Sequence, residues 1–513
     1  MQPAGRNLFM KKLFSFLGLL PLLFCAACGT SGVTGFIPHG PFSNASLNGQ
    51  YVYQLSGFDT TNGVSAFPYY ESGVFTADGK GALTNVSDDF SEGSLPGTTI
   101  GTGAYNLSSS GDGTGTLTLN NALGTVTFAV TMVTISKVYL IEADAGLNSS
   151  GIAELQETTA ISSPPSGTFA FRQHNVDTSQ AFGLSTASVG VFSVSNQGSS
   201  VSGTMDVNRG GTLNNGGANP LTLTSGLFNV PNSLGRGTGR YTDSSNTTFS
   251  FIYYIVDANN VRFLSMSPGV LGIGRAEMQN APALAGSYAF GGRGDTIGNG
   301  INAVDAVGAF TTASGGSIIG GAIDSVEDGT SFSNQSITSG SYSQPVNGRT
   351  LVTLNTSGTF GTLVATVWMV SPARGFFLVI NDPNAVEDGT LDLQSGTFTN
   401  ATMNGQFALM MDGFDFSPQL LDRVGTLQWD GKSKLILNEQ ANSSATGLGA
   451  QFPGILSGNY QVSGNGRAMG TINGLSINSG DLVFYLISGS DAYLLQNDPG
   501  VQINGMVSLQ PSQ

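Results

Sequence analysis

The stretch LNGQYVYQLSGFD, residues 47–59, returns near the end of the chain as MNGQFALMMDGFD, residues 403–415. Six of the thirteen positions are identical, and both copies place an aromatic residue two positions after the first shared glycine. Two more copies lie between them, SGTFAFRQHNVD from residue 166 and AGSYAFGGRGD from residue 285. A repeat of this kind indicates that one structural unit has been copied along the chain.

The glycine and the aromatic residue of this motif recur at a nearly constant period. The four pairs are Gly49 and Tyr51, Gly167 and Phe169, Gly286 and Tyr288, and Gly405 and Phe407, with glycines 118, 119 and 119 residues apart. Each copy also closes on a segment containing glutamine, at Gln156, Gln279, Gln394 and Gln510. We predict four tandem modules at residues 47–161, 166–280, 284–396 and 402–511, and we interpret the motif residues as fold-defining.

Each module has the pattern of an all-β domain. Apolar and polar residues alternate over short runs bounded by Gly, Asn and Asp, as expected of half-buried strands. Asp78-Gly79 and Asp430-Gly431 are dipeptides typical of tight hairpins. About eight strands fit each module at the usual spacing. We predict an eight-stranded antiparallel up-and-down barrel, which leaves no exposed edge, with a β-sandwich as the alternative.

The motif also resembles a known class of barrels. LNGQYVY and LAGSYAF are similar to the Gly-x-Trp start of lipocalin- and avidin-type barrels, with Tyr or Phe in the place of Trp. The resemblance implies barrels of that class and, as an alternative function, a carrier of small apolar ligands in barrel cavities. Side chains can instead fill an interior of eight strands, which is only just wide enough for them.

Late strands of the modules are apolar at consecutive positions. FSFIYYIV at residues 249–256, FFLVIND at 376–382 and DLVFYLIS at 481–488 show this pattern, which indicates burial of both strand faces. We expect neighbouring modules to pack on one another through these strands. An aromatic binding surface or partner interface is the alternative.

The beginning of the chain has the pattern of an export signal. Three basic residues precede an apolar run at residues 13–24, which is too short to span a bilayer. CAACG at residues 25–29 resembles the lipobox of bacterial lipoproteins. The resemblance implies a signal peptide and lipobox at residues 1–28, acylation of Cys28 and a flexible tether at residues 29–46. It also implies an exported protein held in the cell envelope, at the outer membrane, by its N-terminal lipid. Ordinary secretion is the alternative.

Several classes of chemistry lack the residues they require. Both cysteines belong to the export segment, and the two histidines are His39 and His174. A zinc site needs a pair of Cys or His ligands, which the chain after the export segment does not supply. A Ser-His-Asp triad would need one of the two histidines, and no Gly-x-Ser-x-Gly elbow accompanies them, so we predict no metal, no cofactor and no catalysis. His174 is interpreted as a loop residue after the first strand of its module. The net charge of −15 excludes nucleic acid, because phosphate binding needs clustered Lys and Arg.

Carboxylates in turns are the remaining candidates for ion binding. Asp78, and Asp88, Asp89 and Glu92 of VSDDFSEG, carry the oxygen ligands that Ca²⁺ prefers. The equivalent of Asp78 in the other modules keeps turn-forming residues but not the charge, so we interpret Asp78 as a hairpin residue. The second module departs most from the others because of its basic residues, Arg172, His174, Arg209, Arg236 and Arg240.

The sequence therefore predicts a non-catalytic, envelope-anchored lipoprotein that serves in binding, adhesion or envelope structure. Repetition would let weak sites act together on a repetitive target, such as a polysaccharide or a cell surface. A carrier of small apolar ligands is the alternative, and an exported hydrolase is a more remote one.

Overall fold

The computed structural model describes residues 41–512 apart from 62–65, 93–96, 122–123, 180–182, 218, 298–302, 358–360, 415–418, 445–446, 449–454 and 476–479. The predicted signal peptide, Cys28 and the tether up to residue 40 lie outside this range. The described residues belong to one compact unit. Their helical content consists of 3₁₀ turns at Asn44–Ser46, Asn196–Gly198, Asn214–Gly216 and Asn400–Thr402. None of the described helices is long and apolar enough to cross a membrane.

Each module forms a closed antiparallel barrel of eight strands, as predicted from the alternating pattern. The strands of barrel 1 are β1 (Asn48–Asp59), β2 (Phe67–Asp78), β3 (Ala82–Glu92), β4 (Gly97–Leu107), β5 (Thr114–Asn121), β6 (Gly124–Thr134), β7 (Lys137–Glu142) and β8 (Leu147–Leu155). Those of barrel 2 are β9 (Gly167–Asp177), β10 (Leu184–Ser195), β11 (Ser200–Arg209), β12 (Thr212–Leu213), β13 (Leu221–Phe228), β14 (Arg236–Asp243), β15 (Thr248–Asp257), β16 (Asn260–Ser265) and β17 (Val270–Met278).

Barrels 3 and 4 repeat this order. The strands of barrel 3 are β18 (Ser287–Thr296), β19 (Ala303–Ala313), β20 (Ser317–Glu327), β21 (Thr330–Tyr342), β22 (Arg349–Thr356), β23 (Thr362–Ser371), β24 (Arg374–Val379) and β25 (Ala385–Leu393). Those of barrel 4 are β26 (Asn404–Phe414), β27 (Leu420–Asp430), β28 (Lys434–Ser443), β29 (Gly447–Leu448), β30 (Leu456–Val462), β31 (Arg467–Ile472), β32 (Asp481–Leu486), β33 (Asp491–Gln496) and β34 (Gln502–Leu509). The two-residue strands β12 and β29 each extend one hairpin.

The first strand of each module closes its barrel by pairing with both the second and the last strand. The repeat glycines lie at the start of this strand, with φ between +120° and +126°. A side chain there would be strained, and a Cβ atom on Gly49 would also lie 2.7 Å from Cδ1 of Leu155. The aromatic residues two positions later are buried inside the barrels. The motif therefore holds the barrel closed.

Replacing Gly49 by alanine is expected to lower the free energy of unfolding by about 1–3 kcal/mol, because the new Cβ meets both an unfavourable φ and a packed side chain. Gly464→Ala is the matched control, since its Cβ would have no neighbour within 4 Å. Urea denaturation measures both variants. Equal stability of the two would contradict this role of Gly49.

Apolar side chains fill the barrel interiors. Trp429 packs inside barrel 4 with its ring centroid 4.9 Å from that of Phe484. A cavity inside barrel 3 measures about 20 Å³, roughly the space of one water molecule. The described interior of barrel 3 thus leaves no room for a carried ligand, which argues against a lipocalin-type carrier in that barrel.

Neighbouring barrels pack face to face, as expected from the late apolar strands. Along β15, Phe251, Tyr253 and Ile255 point into barrel 2, whereas Ile252 and Tyr254 pack on barrel 1.

Every contact between barrels has the same arrangement: the first two strands of one barrel lie against the sixth and seventh strands of the next. One apolar cluster contains Val189 and Trp368 and joins barrels 2 and 3. A second contains Val307 and Tyr485 and joins barrels 3 and 4, and a third contains Met410 and Tyr139 and joins barrels 4 and 1. The last contact closes the four barrels into a ring.

The glutamine that ends each module is part of this closure. Its side-chain amide donates to a backbone carbonyl of the next barrel in every case: Gln156 to Ile255, Gln279 to Met369, Gln394 to Leu486 and Gln510 to Met132. Gln510, at the end of barrel 4, thus binds barrel 1. The contact of Gln510 with Met132 therefore gives barrel 4 the same kind of neighbour that the other barrels have, and this neighbour is barrel 1.

Three of the four contacts also contain a buried ionic cluster. Between barrels 2 and 3, the Arg349 guanidinium donates two hydrogen bonds of 2.7 and 3.0 Å to Asp206, and Trp368 Nε1 donates a third of 2.9 Å. Arg236 and Tyr254 bind Asp89 in the same way, and Arg467 and Tyr485 bind Asp324. We call each group an interface cluster.

The contact between barrels 4 and 1, which we call the seam, has different residues at these positions. Thr114 stands where the other barrels have the arginine, Thr131 replaces the aromatic residue, and Gln440 replaces the aspartate. All three members of the cluster have changed together, so no buried charge is left without its partner. The seam relies on neutral contacts such as the 2.8 Å hydrogen bond between the hydroxyls of Tyr139 and Ser508.

Candidate functional site

A cavity of about 460 Å³ lies where the four barrels meet at the centre of the ring, and we call it the axial cavity. Its wall includes the second half of the first strand of every barrel. Seven positions after the repeat glycines these strands carry Ser56, His174, Arg293 and Asp412, and all four residues line the cavity. The four equivalent positions therefore present four different side chains. The strands that form the ring recur in every module, whereas the residue at this cavity-lining position differs from module to module.

His174 is the most constrained of these residues. Its Nδ1 lies 2.7 Å from Asp388 Oδ1 and its Nε2 lies 2.9 Å from Asp295 Oδ2. Burial would lower the pKa of the imidazole, but the hydrogen bonds it donates to these two carboxylates, together with their charge, outweigh burial and raise the pKa of His174 to about 10. At neutral pH His174 is an imidazolium ion that donates from both nitrogens, which leaves it no lone pair for a metal ion or for general-base catalysis.

The interpretation of His174 as a loop residue was wrong. It lies within β9, and its side chain points outward from barrel 2 into the space that three other barrels enclose. RQHNVD looks polar like a loop because Arg172 and His174 face this cavity, while Gln173, on the opposite face of the strand, accepts a hydrogen bond from Tyr241 inside barrel 2.

Arg293 forms a second charged group in the cavity wall. Its guanidinium binds the side chain of Asp412 and donates a 2.6 Å hydrogen bond to the Asp412 carbonyl. Its Nε lies 3.3 Å from Asp305. Burial dominates at Asp305 and raises the pKa of that carboxyl to about 6 in spite of the arginine. The pair of Arg293 and Asp412 joins barrel 3 to barrel 4 in the cavity wall.

The wall at the seam is apolar. Phe58 of barrel 1 and Phe414 of barrel 4 occupy the positions two residues after Ser56 and Asp412, with ring centroids 5.7 Å apart. The carboxyl of Asp422 lies nearby, and burial raises its pKa well above the usual range. This side of the cavity can therefore accept an aromatic or aliphatic group.

The other residues considered for function lie elsewhere. Of the five basic residues singled out above in the second module, Arg172 and His174 line the axial cavity, Arg236 belongs to an interface cluster, Arg240 is exposed, and Arg209 ends β11. These five residues do not form one cleft. Cys28 lies outside the described residues.

The carboxylates considered for ion binding form hydrogen bonds and ion pairs within the protein. Asp78 accepts hydrogen bonds of 2.7, 3.0 and 3.0 Å from the backbone N–H groups of residues 80–82, as predicted for a hairpin residue. Asp88 accepts a bond from Tyr53 inside barrel 1, whereas Asp89 binds Arg236 on the outside. Successive side chains of a strand point to opposite faces, so these two carboxylates cannot bind one ion together.

Sequence reasoning missed the axial cavity, although the repeat contains a signal for it. The first strand begins alike in all four modules, but the position seven residues after its glycine differs in every copy: it is the first residue of SGFD, HNVD, RGDT and DGFD. Divergence within an otherwise repeated strand marks positions that the fold does not fix.

Comparisons with protein-family models and with curated proteins gave no match. Among solved structures, the chain is similar to transferrin-binding protein B, a vaccine antigen, from Haemophilus parasuis Hp5. The TM-score is 0.19 and the identity 10%, over 74% of this chain and 84% of that one. The isotype 1 transferrin-binding protein B from serogroup B Neisseria meningitidis gives a TM-score of 0.18 and 10% identity, over 73% and 83%. TM-scores this low carry no argument about function.

Proposed function

We propose that this protein is an envelope-anchored, non-catalytic binding protein that holds one small molecule in the axial cavity. The observation that carries the proposal is a contrast within the repeat: the glycine, the aromatic residue and the terminal glutamine recur in all four modules, whereas the cavity-lining position seven residues after the glycine holds Ser, His, Arg or Asp. A volume of about 460 Å³ is within the usual range of small-molecule sites. Four different cavity-facing residues suit a single asymmetric ligand.

The ring favours one shared site over four equivalent ones. Multivalent display needs modules that reach separate copies of a target, whereas here each barrel uses two faces to contact its neighbours. The mixed lining, with charged groups beside the Phe58 and Phe414 rings, suits a ligand with both polar and apolar parts. Anchoring is a separate element of the proposal, and the lipobox-like CAACG stretch ending at Gly29 supports it.

A variant that fills the cavity tests the proposal. Ser56→Trp places a large side chain on the cavity wall, and Ser512→Trp places the same side chain at an exposed position. Thermal denaturation is recorded with a library of small organic molecules. We expect compounds that raise the melting temperature of the wild type to act equally on Ser512→Trp and to have no effect on Ser56→Trp. Equal shifts in all three proteins would contradict an axial site.

A further inference from the structure

Three arginines stand side by side on the outside of barrel 2. Arg262 of β16 is directly opposite Arg275 of β17, which in turn is directly opposite Arg172 of β9. We call Arg262, Arg275 and Arg172 the arginine row. Like charges at directly opposite strand positions repel one another, so a row of three requires negative partners.

The two outer arginines receive those partners from adjacent barrels. Arg262 binds Glu154 of barrel 1, with Nε 2.8 Å from Oε2. The Nε of Arg172 lies 3.1 Å from Oδ2 of Asp388 in barrel 3. The outer members of the row therefore stabilise contacts between barrels.

Arg275, in the middle, is less well neutralised. Its Nη2 lies 2.7 Å from Glu277, but that carboxylate is shared with Arg374 of barrel 3 at 2.9 Å. The buried Nε of Arg275 has no hydrogen-bond partner among the residues that the structure describes. Burial, together with the charges of Arg262 and Arg374, lowers the pKa of Arg275 to about 10 although Glu277 opposes the shift. Such an arginine is stabilised by a further anion.

Arg275 and Arg172 both line the axial cavity, and 28% and 29% of their side chains are exposed there. Barrel 2 lies across the ring from barrel 4, which contributes Phe414 to the apolar wall. We propose that Arg275 and Arg172 bind an oxyanion group of the ligand, a carboxylate, phosphate or sulfonate, while its apolar body lies toward Phe58 and Phe414. This inference rests on the proposed function and specifies the ligand as an amphipathic organic anion.

Two fluorescent probes of similar shape separate charge from apolar contact. Anilinonaphthalenesulfonate has an aromatic body and a sulfonate, and N-phenylnaphthylamine has the body alone. We expect one anilinonaphthalenesulfonate to bind per chain, and Arg275→Gln to weaken it by about 10- to 100-fold, as charge-assisted hydrogen bonds to arginine would require. Affinity for the neutral probe should not change. Arg240→Gln, in the same barrel but exposed, is the control.

Displacement of the bound probe by benzoate, phenyl phosphate and inorganic phosphate then distinguishes a carboxylate ligand from a phosphate ester and from a free ion.

The Arg275→Gln variant should fold, because the substitution removes a positive charge that lies between two other positive charges. Arg275→Lys provides a second variant, which is expected to bind the sulfonate probe with intermediate affinity. If both probes bind equally and neither Arg275 variant affects them, the oxyanion proposal is wrong and the axial site stands. If neither probe binds the wild type, the axial site itself is contradicted.

Discussion

Replacing Asp206 by alanine will lower the free energy of unfolding by about 3–5 kcal/mol, the range for breaking a buried ion pair by removing one partner. Asp206 is fully buried, and it accepts both hydrogen bonds from Arg349 as well as the indole N–H of Trp368. Without Asp206, the Arg349 guanidinium has no counter-charge at the contact between barrels 2 and 3, and the Trp368 N–H has no hydrogen-bond acceptor there. Denaturant unfolding measures the loss.

The ring provides a matched control for this result. Gln440 occupies at the seam the position that Asp206 occupies between barrels 2 and 3, and the positions of the arginine and the aromatic residue hold Thr114 and Thr131 there. Gln440→Ala should cost less than about 1 kcal/mol, as most substitutions of partly exposed polar residues do. Similar losses for the two variants would mean that the interface cluster contributes no more than packing.

The second large effect depends on pH. His174 has its pKa raised from 6.5 to about 10 in the folded protein by Asp295 and Asp388. A raised pKa contributes stability that is fully present below the unfolded value, and this contribution is lost as the pH rises through the folded value. His174→Gln should therefore destabilise the protein by about 3–5 kcal/mol at pH 6. The difference from the wild type should shrink between pH 6.5 and pH 10.

The free energy of unfolding of the variant is subtracted from that of the wild type at each pH. The pH dependence that comes from groups present in both proteins then cancels. A loss of the same size at pH 6 and at pH 10 would show that His174 acts through its shape and not through its charge.

Much of the fold follows from the sequence because local patterns determine it. Alternation of apolar residues and the recurring Gly-x-aromatic motif predict barrels, and the structure shows why: Gly49 needs its positive φ, and Tyr51 fills the interior. Consecutive apolar residues such as Phe251 and Ile252 predict burial of both strand faces, which the barrel core and the neighbouring barrel provide.

The ring and its cavity could not be predicted in the same way, because they depend on how four rigid modules turn relative to one another. A constant rotation from module to module closes after four copies, and no single residue specifies it. Gln510 was visible as a repeated residue, but its meaning depends on a partner located 378 residues earlier. The cavity residues are polar and irregular, and sequence patterns alone do not distinguish such residues from loops.

A distance across the seam tests the ring most directly. Spin labels are placed at Ile135, which is 63% exposed and three residues beyond Met132, and at the exposed Ser512, two residues beyond Gln510, with the native cysteines replaced by serine. The Gln510 contact with Met132 predicts a narrow distance distribution, at most about 25 Å between the labelled backbone positions. Four barrels strung in a row, each about 30 Å wide, would give a broad distribution beyond about 50 Å and would contradict the ring.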